Sequence, residues 1–252
     1  MKALITGATS GIGLAVAENL NKRGWELILT GRNQKALEDI SQRLGNNTQF
    51  ICADLSRKED VFKVYDFCRD KSVDMLVNNA GFGIFGKLHE TDLDSELDML
   101  SVNIVAVHIL MKLFLRDFRK RNKGIILNVA SSAGFMTGPL MSSYYASKNY
   151  VVRLSLAVAE ELRRDNSKVS VTVFCPGPVD TNFNNRAGVS FSVKPITAEY
   201  AAQYAVEKAL AGKLIAVPSL SMKAGLFGAR FVPHKVLSAI TYNIQKNKAG
   251  NE

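Results

Sequence analysis

The feature that most restricts this chain is an alternation along its length. Short, nearly continuous apolar runs rich in β-branched residues are separated by stretches with helical periodicity. The runs are Lys2–Thr6, Glu26–Thr30, Gln49–Ala53, Met75–Val77, Ile125–Val129, Val169–Phe174 and Leu214–Val217. Strands that are apolar throughout are covered on both faces, as in a parallel sheet. Parallel neighbours need crossover connections, and these are right-handed. The sequence therefore predicts an α/β fold: one Rossmann-type doubly wound domain, with a seven-stranded parallel sheet in the order 3-2-1-4-5-6-7 and helices on both faces. A chain of 252 residues, 47% hydrophobic, is long enough to bury one such core. Ligands of these sheets sit beyond the carboxyl ends of the strands, so the residues that follow each run are where chemistry is to be sought.

Helix ends are legible between the runs. Asn33 is placed to cap a helix carrying Leu37, Ile40 and Leu44, which Gly45 stops. Ser56-Arg57-Lys58-Glu59 reads as a capping box, and Thr91 as the cap of a long helix reaching about Arg121. A further helix is expected from about Ser143 to Arg164.

The first run opens into Thr6-Gly7-Ala8-Thr9-Ser10-Gly11-Ile12-Gly13. Glycines at a strand-to-helix turn let the backbone approach a pyrophosphate, which gains from the N–H groups of the helix start. Alone, this spacing also serves a tight β–α connection. The second run ends in Thr30-Gly31-Arg32-Asn33, where an NAD site places an acid on the ribose hydroxyls. Arginine pairs with a 2′-phosphate that an acid would repel, and one charge-assisted hydrogen bond is worth roughly 1.5–3 kcal/mol. The residues thus favour NADP(H) over NAD(H), with Arg32 on the phosphate and Thr9, Ser10 and Asn33 beside it. A surface arginine that simply opens a helix is the alternative. Asp54, followed by Leu55, is placed either to accept from an adenine amine or to begin a turn. Asn78-Asn79-Ala80-Gly81 is small enough for backbone to approach the cofactor. Cys175-Pro176-Gly177-Pro178-Val179-Asp180-Thr181 makes a stiff turn at the nicotinamide end, with Thr181 placed for the carboxamide.

Tyr144 and Lys148 are four residues apart and share one helix face. A free phenol has a pKa near 10, so about one in a thousand is ionised at neutral pH. Neutral ionisation requires about 4 kcal/mol of added phenolate stabilisation. A lysine ammonium and an oxidised nicotinamide act in that direction. Ser131 ends the fifth run, and Gly134 and Pro139 let the chain loop back to Tyr144, so that Ser131 can hold the substrate oxygen that Tyr144 protonates. Asn103 lies inside a helix it does not favour, which is explained by a water held near Lys148 or by ordinary packing. Phe135, Met136, Leu140, Met141, Phe183, Phe191 and Val193 are placed to line a greasy pocket or simply to pack.

Together these residues closely resemble the short-chain dehydrogenase/reductase family from about Lys2 to Thr181. The matching motifs are T-G-x-x-x-G-I-G, N-N-A-G, Y-x-x-x-K and P-G-x-V-x-T, with Ser131 and the helical Asn103. The resemblance implies a catalytic tetrad of Asn103, Ser131, Tyr144 and Lys148, transfer of the pro-S hydride, Lys148 on the nicotinamide ribose, and NADP preference marked by Arg32. It implies cofactor contacts at Gly7, Thr9, Ser10, Gly11, Ile12, Gly13, Arg32, Asn33, Asp54, Leu55, Asn79, Ala80, Gly81, Pro176, Gly177, Val179 and Thr181, besides Tyr144 and Lys148. The expected reaction is hydride transfer between NADP(H) and a carbonyl or secondary alcohol on an apolar, steroid-, lipid- or acyl-like substrate. A non-catalytic NADP(H)-binding regulator or membrane-associated protein is the alternative.

Residues 1–218 are expected to form the Rossmann-type dinucleotide-binding and catalytic domain, and 219–252 continue past the seventh strand, where members of the family typically end. The extension mixes Leu226, Phe227, Phe231, Val236 and Ile240 with Lys223, Arg230, Lys235 and Lys246. It reads as a packed tail, a helix pair over the substrate mouth, a dimer contact or an interfacial membrane anchor. Because it stands where tetramers form, a homodimer is expected rather than a tetramer.

The net charge of +9 is spread along the chain, and its densest cluster, Arg116 to Lys123, suits a helix C-terminus. Nucleic acid is therefore not expected as a partner. The three cysteines are widely spaced, which argues against a disulfide framework and against a metal site, and for a cytoplasmic setting. A strand starting at Lys2 leaves no room for a signal peptide. The apolar stretch Ile104 to Leu115 is expected to be too short for a transmembrane span.

Overall fold

The computed structural model describes residues 1–181, 183 and 195–246. Its strands are β1 (Lys2–Thr6), β2 (Glu26–Gly31), β3 (Thr48–Cys52), β4 (Met75–Asn78), β5 (Gly124–Val129), β6 (Val169–Phe174), β7 (Val179–Asp180), β8 (Ile196–Thr197) and β9 (Ile215–Ala216). Seven of them form a parallel sheet in the order β3-β2-β1-β4-β5-β6-β9. That is the expected order, with β9 as the seventh strand. β7 and β8 pair only with each other and had no separate signal in the sequence.

The helices are α1 (Gly11–Lys22), α2 (Gln34–Leu44), α3 (Lys58–Cys68), α4 (Leu93–Leu100), α5 (Val107–Arg121), α6 (Ser142–Arg164), α7 (Ala198–Leu210), α8 (Leu220–Gly228) and α9 (His234–Lys246). Alternation along the strands sorts side chains between two cores. Ala3, Ile5, Leu27 and Leu29 pack with Val16 and Leu20 of α1, Leu37 of α2 and Val206 of α7. Leu4 and Ile28 point the other way, to Val64 of α3, Phe114 and Phe118 of α5 and Leu162 of α6. Each such large apolar side chain contributes about 1.5–3 kcal/mol when fully buried.

α4 and α5 are joined without a break by a π-helical turn, Ser101–Ala106. The resulting helix, Leu93–Arg121, is long and apolar enough to cross a membrane by length and composition. The stretch expected to be too short for that lies inside it. Its inner side nevertheless belongs to the core, where Leu110, Met111, Phe114 and Phe118 are buried. Of the basic cluster, Arg119, Lys120 and Arg121 lie in the last turn of α5, where Arg121 donates to the Val73 carbonyl and Arg119 pairs with Asp165 at 2.7 Å.

Asn33 caps α2 as expected, accepting from the Ala36 N–H at 3.0 Å. Two other caps differ. α3 starts one residue later than the capping box implied, with Arg57 as its cap and no side-chain bond there. The Asp54 carboxylate takes the Ser56 N–H, and Asp60 reaches back to the Asp54 N–H at 3.0 Å, so the loop draws the start forward. α4 is capped by Asp92, which accepts from Ser95 at 2.8 Å, rather than by Thr91, whose hydroxyl donates to Glu96.

The described part of the extension consists of α8, a 3-10 turn (Ala229–Phe231) and α9. Met222 and Leu226 pack beside Val151, Val152 and Val217. α9 is tied down by a 2.8 Å hydrogen bond between Ser238 and Thr137, and by Gln245, whose Nε2 donates to the Tyr145 hydroxyl.

Candidate active site

The carboxyl ends of β1 and β4 are locked together by two side chains. Thr6 Oγ1 accepts from the N–H groups of Asn79 and Ala80 at 2.9 and 3.0 Å. Asn79 Nδ2 donates to the Thr6 and Gly7 carbonyls at 2.9 and 3.1 Å. Gly7 adopts φ +63°, and a Cβ there would stand 2.9 Å from Ala80 Cα. A Cβ on Gly13 would fall 2.3 Å from the Gly7 carbonyl oxygen, so this glycine lets α1 press against the turn. Ser10 is the cap residue of α1 but makes no capping bond through its side chain. The first-turn N–H groups have no helical partners and are available to an anion.

The reacting end is built from β5 and α6. Ser131 caps a 3-10 turn, Ser132–Phe135, and its Oγ accepts from the Ala133 N–H at 3.1 Å. Asn149 Nδ2 lies 3.1 and 2.9 Å from the Ala133 and Met136 carbonyls, holding that turn against α6. Ser143 donates to Glu96 at 2.8 Å, which ties the first turn of α6 to α4. Tyr144 follows, and Lys148 stands one turn on, its Nζ 5.9 Å from the Tyr144 ring centre and donating to the Val129 carbonyl at 3.0 Å. Both are buried.

Asn103 lies in the π-helical turn and is wholly buried. Its side chain accepts from the Phe82 N–H at 3.1 Å and donates to the Phe82 carbonyl and to Ser147 Oγ at 2.9 and 3.0 Å. Ser147 in turn donates to the Tyr144 carbonyl at 2.7 Å. The amide of Asn103 therefore clamps the chain beside the tyrosine. Asn103 Oδ1 and Lys148 Nζ both crowd Gly81, standing 2.8 and 3.3 Å from where its Cβ would be.

Burial raises the Tyr144 hydroxyl above its ordinary pKa, with Ser131 partly opposing it. Among the chain's described groups desolvation therefore governs the phenol, and no neighbouring positive charge draws it down as the sequence suggests. Burial also lowers Lys148 from 10.5 to about 8, which still leaves it largely cationic at neutral pH. Cys175, buried beside Lys148, is pushed up to about 12 and is an inert thiol.

One cleft of about 290 Å³ runs between the two ends. Gly7, Thr9, Ser10, Gly11, Ile12, Arg32, Asp54, Leu55, Asn79, Ala80, Gly81, Ser131, Tyr144, Lys148, Pro176, Gly177, Val179 and Thr181 all line it. Gly13, Asn33 and Asn103 do not: Gly13 packs under Gly7, Asn33 is occupied in capping α2, and Asn103 is occupied with Phe82. Of the apolar pocket candidates, Met141 and Phe183 line the cleft, whereas Phe135, Met136 and Leu140 do not. Phe191 and Val193 lie outside the described residues. Phe82, Val102 and Tyr145 also line it without having been singled out in the sequence. Thr6, already part of the first motif, holds the lining in place together with Ser147 and Asn149, which are additions. Ser147 and Asn149 had a faint signal, as polar residues on the helix that carries Tyr144.

The cleft fits a nicotinamide dinucleotide. A turn without side chains at Gly7 and Gly11 meets the α1 N-terminus, Arg32 and Asp54 stand at the far end, and Tyr144 and Lys148 at the near end. The short chain dehydrogenase family model matches residues 1–189. An uncharacterized oxidoreductase of Staphylococcus saprophyticus is 31% identical over 214 residues, covering 82% of this chain and 91% of the relative. A short-chain dehydrogenase of Sphingobium yanoikuyae, solved in complex with NADPH, superposes with a TM-score of 0.83 at 28% identity, over 91% of this chain and 93% of that one. A Burkholderia phymatum short chain dehydrogenase/reductase in complex with NAD superposes with a TM-score of 0.81 at 25% identity, over 90% and 91% of the two chains. Sequence, fold and cleft agree, and the chain belongs to the short-chain dehydrogenase family of oxidoreductases.

Proposed function

We propose that the protein is an NADP(H)-dependent oxidoreductase that interconverts a carbonyl and a secondary alcohol on an apolar substrate, with Tyr144 carrying the proton. The observation that carries this reading is the placement of Tyr144, Lys148 and Ser131 at one end of a cleft whose other end holds Arg32 and the start of α1. Bound there, the cofactor supplies or accepts the hydride. Ser131 orients the substrate oxygen, and Tyr144 holds a proton on its hydroxyl at neutral pH because burial keeps its affinity for the proton high. Lys148 stabilises the phenolate left after that proton is given. Thr9, Ser10 and Arg32 support a 2′-phosphate, and Phe82, Met141, Tyr145 and Phe183 support an apolar substrate. The Phe183 ring lies tilted with its centre 5.4 Å from that of Tyr144, which limits water at the reacting end. The three free cysteines, one of them exposed, fit a reducing cytoplasm, and we take the assembly to be a homodimer.

The test is a panel of ketones and alcohols with NADPH/NADP⁺ and NADH/NAD⁺, run beside Tyr144→Phe. NADPH-linked turnover is expected to fall by about 10²–10⁴-fold in the variant while NADPH still binds. NADPH binding without any turnover would make the protein a regulator, and equal use of NADH would remove the role given to Arg32.

A further inference from the structure

α9 is inside out for a packed helix. Three of the four residues it covers are polar: Leu237 and Ser238 are partly covered, and Thr241 and Gln245 are buried, Gln245 with 0% exposure. Its apolar residues at helical spacing, Val236, Ile240 and Ile244, are exposed instead, Ile240 by 46%. α8 turns Met222 and Leu226 inward, but it and the turn after it also leave large apolar side chains outside, with Leu220 80% and Phe231 74% exposed and Phe227 edge-to-face with Phe231 at 5.4 Å. A tail folded only to stabilise the domain would turn these side chains the other way.

The charge on this segment has one sign. No Asp or Glu occurs between Glu207 and Glu252, whereas Lys223, Arg230, Lys235 and Lys246 lie on the two helices and their connection. A symmetric contact with a second copy would set this surface against itself, opposing like charges with no acid of its own to pair them. A surface of anionic phospholipid meets both properties. Aromatic and aliphatic side chains enter the headgroup boundary, and each Lys or Arg adds about 1 kcal/mol near a negative leaflet. We propose that residues 219–246 dock the protein on an anionic phospholipid bilayer, apolar side chains inward to the lipid and lysines and arginine on the headgroups.

The docked surface would adjoin the cleft. The inner side of α9 holds Tyr145, which lines that cleft, through Gln245, and holds the loop before α6 through Ser238 and Thr137. The proposal itself stands apart from the choice of cofactor or substrate.

The experiment is flotation of the full-length protein with vesicles of phosphatidylcholine alone or mixed with phosphatidylserine, at low and high salt, with sedimentation velocity on the same samples. The wild type is expected to float with the mixed vesicles only and to be released by salt. The F227E/F231E double variant is expected to lose about tenfold or more in partitioning, with an unchanged thermal melt because both rings are exposed. Absence of floating, equal binding to both vesicles, or a dimer that F227E/F231E separates into monomers would each overturn the proposal, the last by making this face a contact between copies.

Discussion

Tyr144 and Lys148 show how burial at a single residue sets chemistry. Folding lowers the Lys148 pKa from 10.5 to about 8. Between those values the unfolded chain holds the extra proton, so stability rises with pH across that window and is lost again as pH falls through 8. Urea titrations at pH 8 and pH 10 should therefore show the wild type gaining about 2 kcal/mol relative to Lys148→Met, the difference cancelling the tyrosines and cysteines common to both. A flat difference would mean that the ammonium is better solvated than its burial implies. Arg32 makes the second prediction at this scale. Arg32→Ala should weaken NADPH binding by about ten- to a hundredfold and leave NADH binding unaltered, as read by calorimetry. The cofactor motifs were legible in the sequence because each follows a strand directly, and Tyr144 and Lys148 because they share a helix face one turn apart. The protonation of the phenol was not, because desolvation is a property of the packed site and has no sequence signature.

Among elements, the sheet strands were readable and the helix starts were less so. An apolar run fixes a strand by burial on two faces, which no neighbouring residue can override. A cap is decided by competition among adjacent polar side chains, and at α3 the Asp54 and Asp60 carboxylates win over Ser56. At α4 the carboxylate of Asp92 takes the Ser95 N–H, and the Thr91 hydroxyl is committed to Glu96. Asp92→Ala should measurably lower the unfolding free energy, whereas Ser56→Ala should stay within about 0.5 kcal/mol of the wild type. Chemical denaturation of the two variants separates these outcomes. The β7–β8 pair was invisible for another reason: two residues in each strand are too few to show any period.

Across the whole molecule, stability is unevenly distributed. The sheet is enclosed by two apolar cores, but α8 buries no residue fully and α9 buries only Thr241 and Gln245. Amide exchange should accordingly be fast over 219–246 and slow over β1, β4 and β5, and anionic vesicles should slow the former alone. Exchange equally slow in both regions would contradict that division. The link from Gln245 to Tyr145 spans 100 residues of sequence, so neither side of it could be read before the fold was known. The π-helical turn carries a different kind of constraint. It joins the core-filling half of Leu93–Arg121 and the half beside the cleft into one continuous rod with a widened turn between them. Removing a single residue between 101 and 106 would restore regular winding with the two halves still in phase, but it would close the widened turn that holds the Asn103 amide against Phe82. At that point the spacing of the chain, independent of which side chains it bears, decides whether the cleft can form.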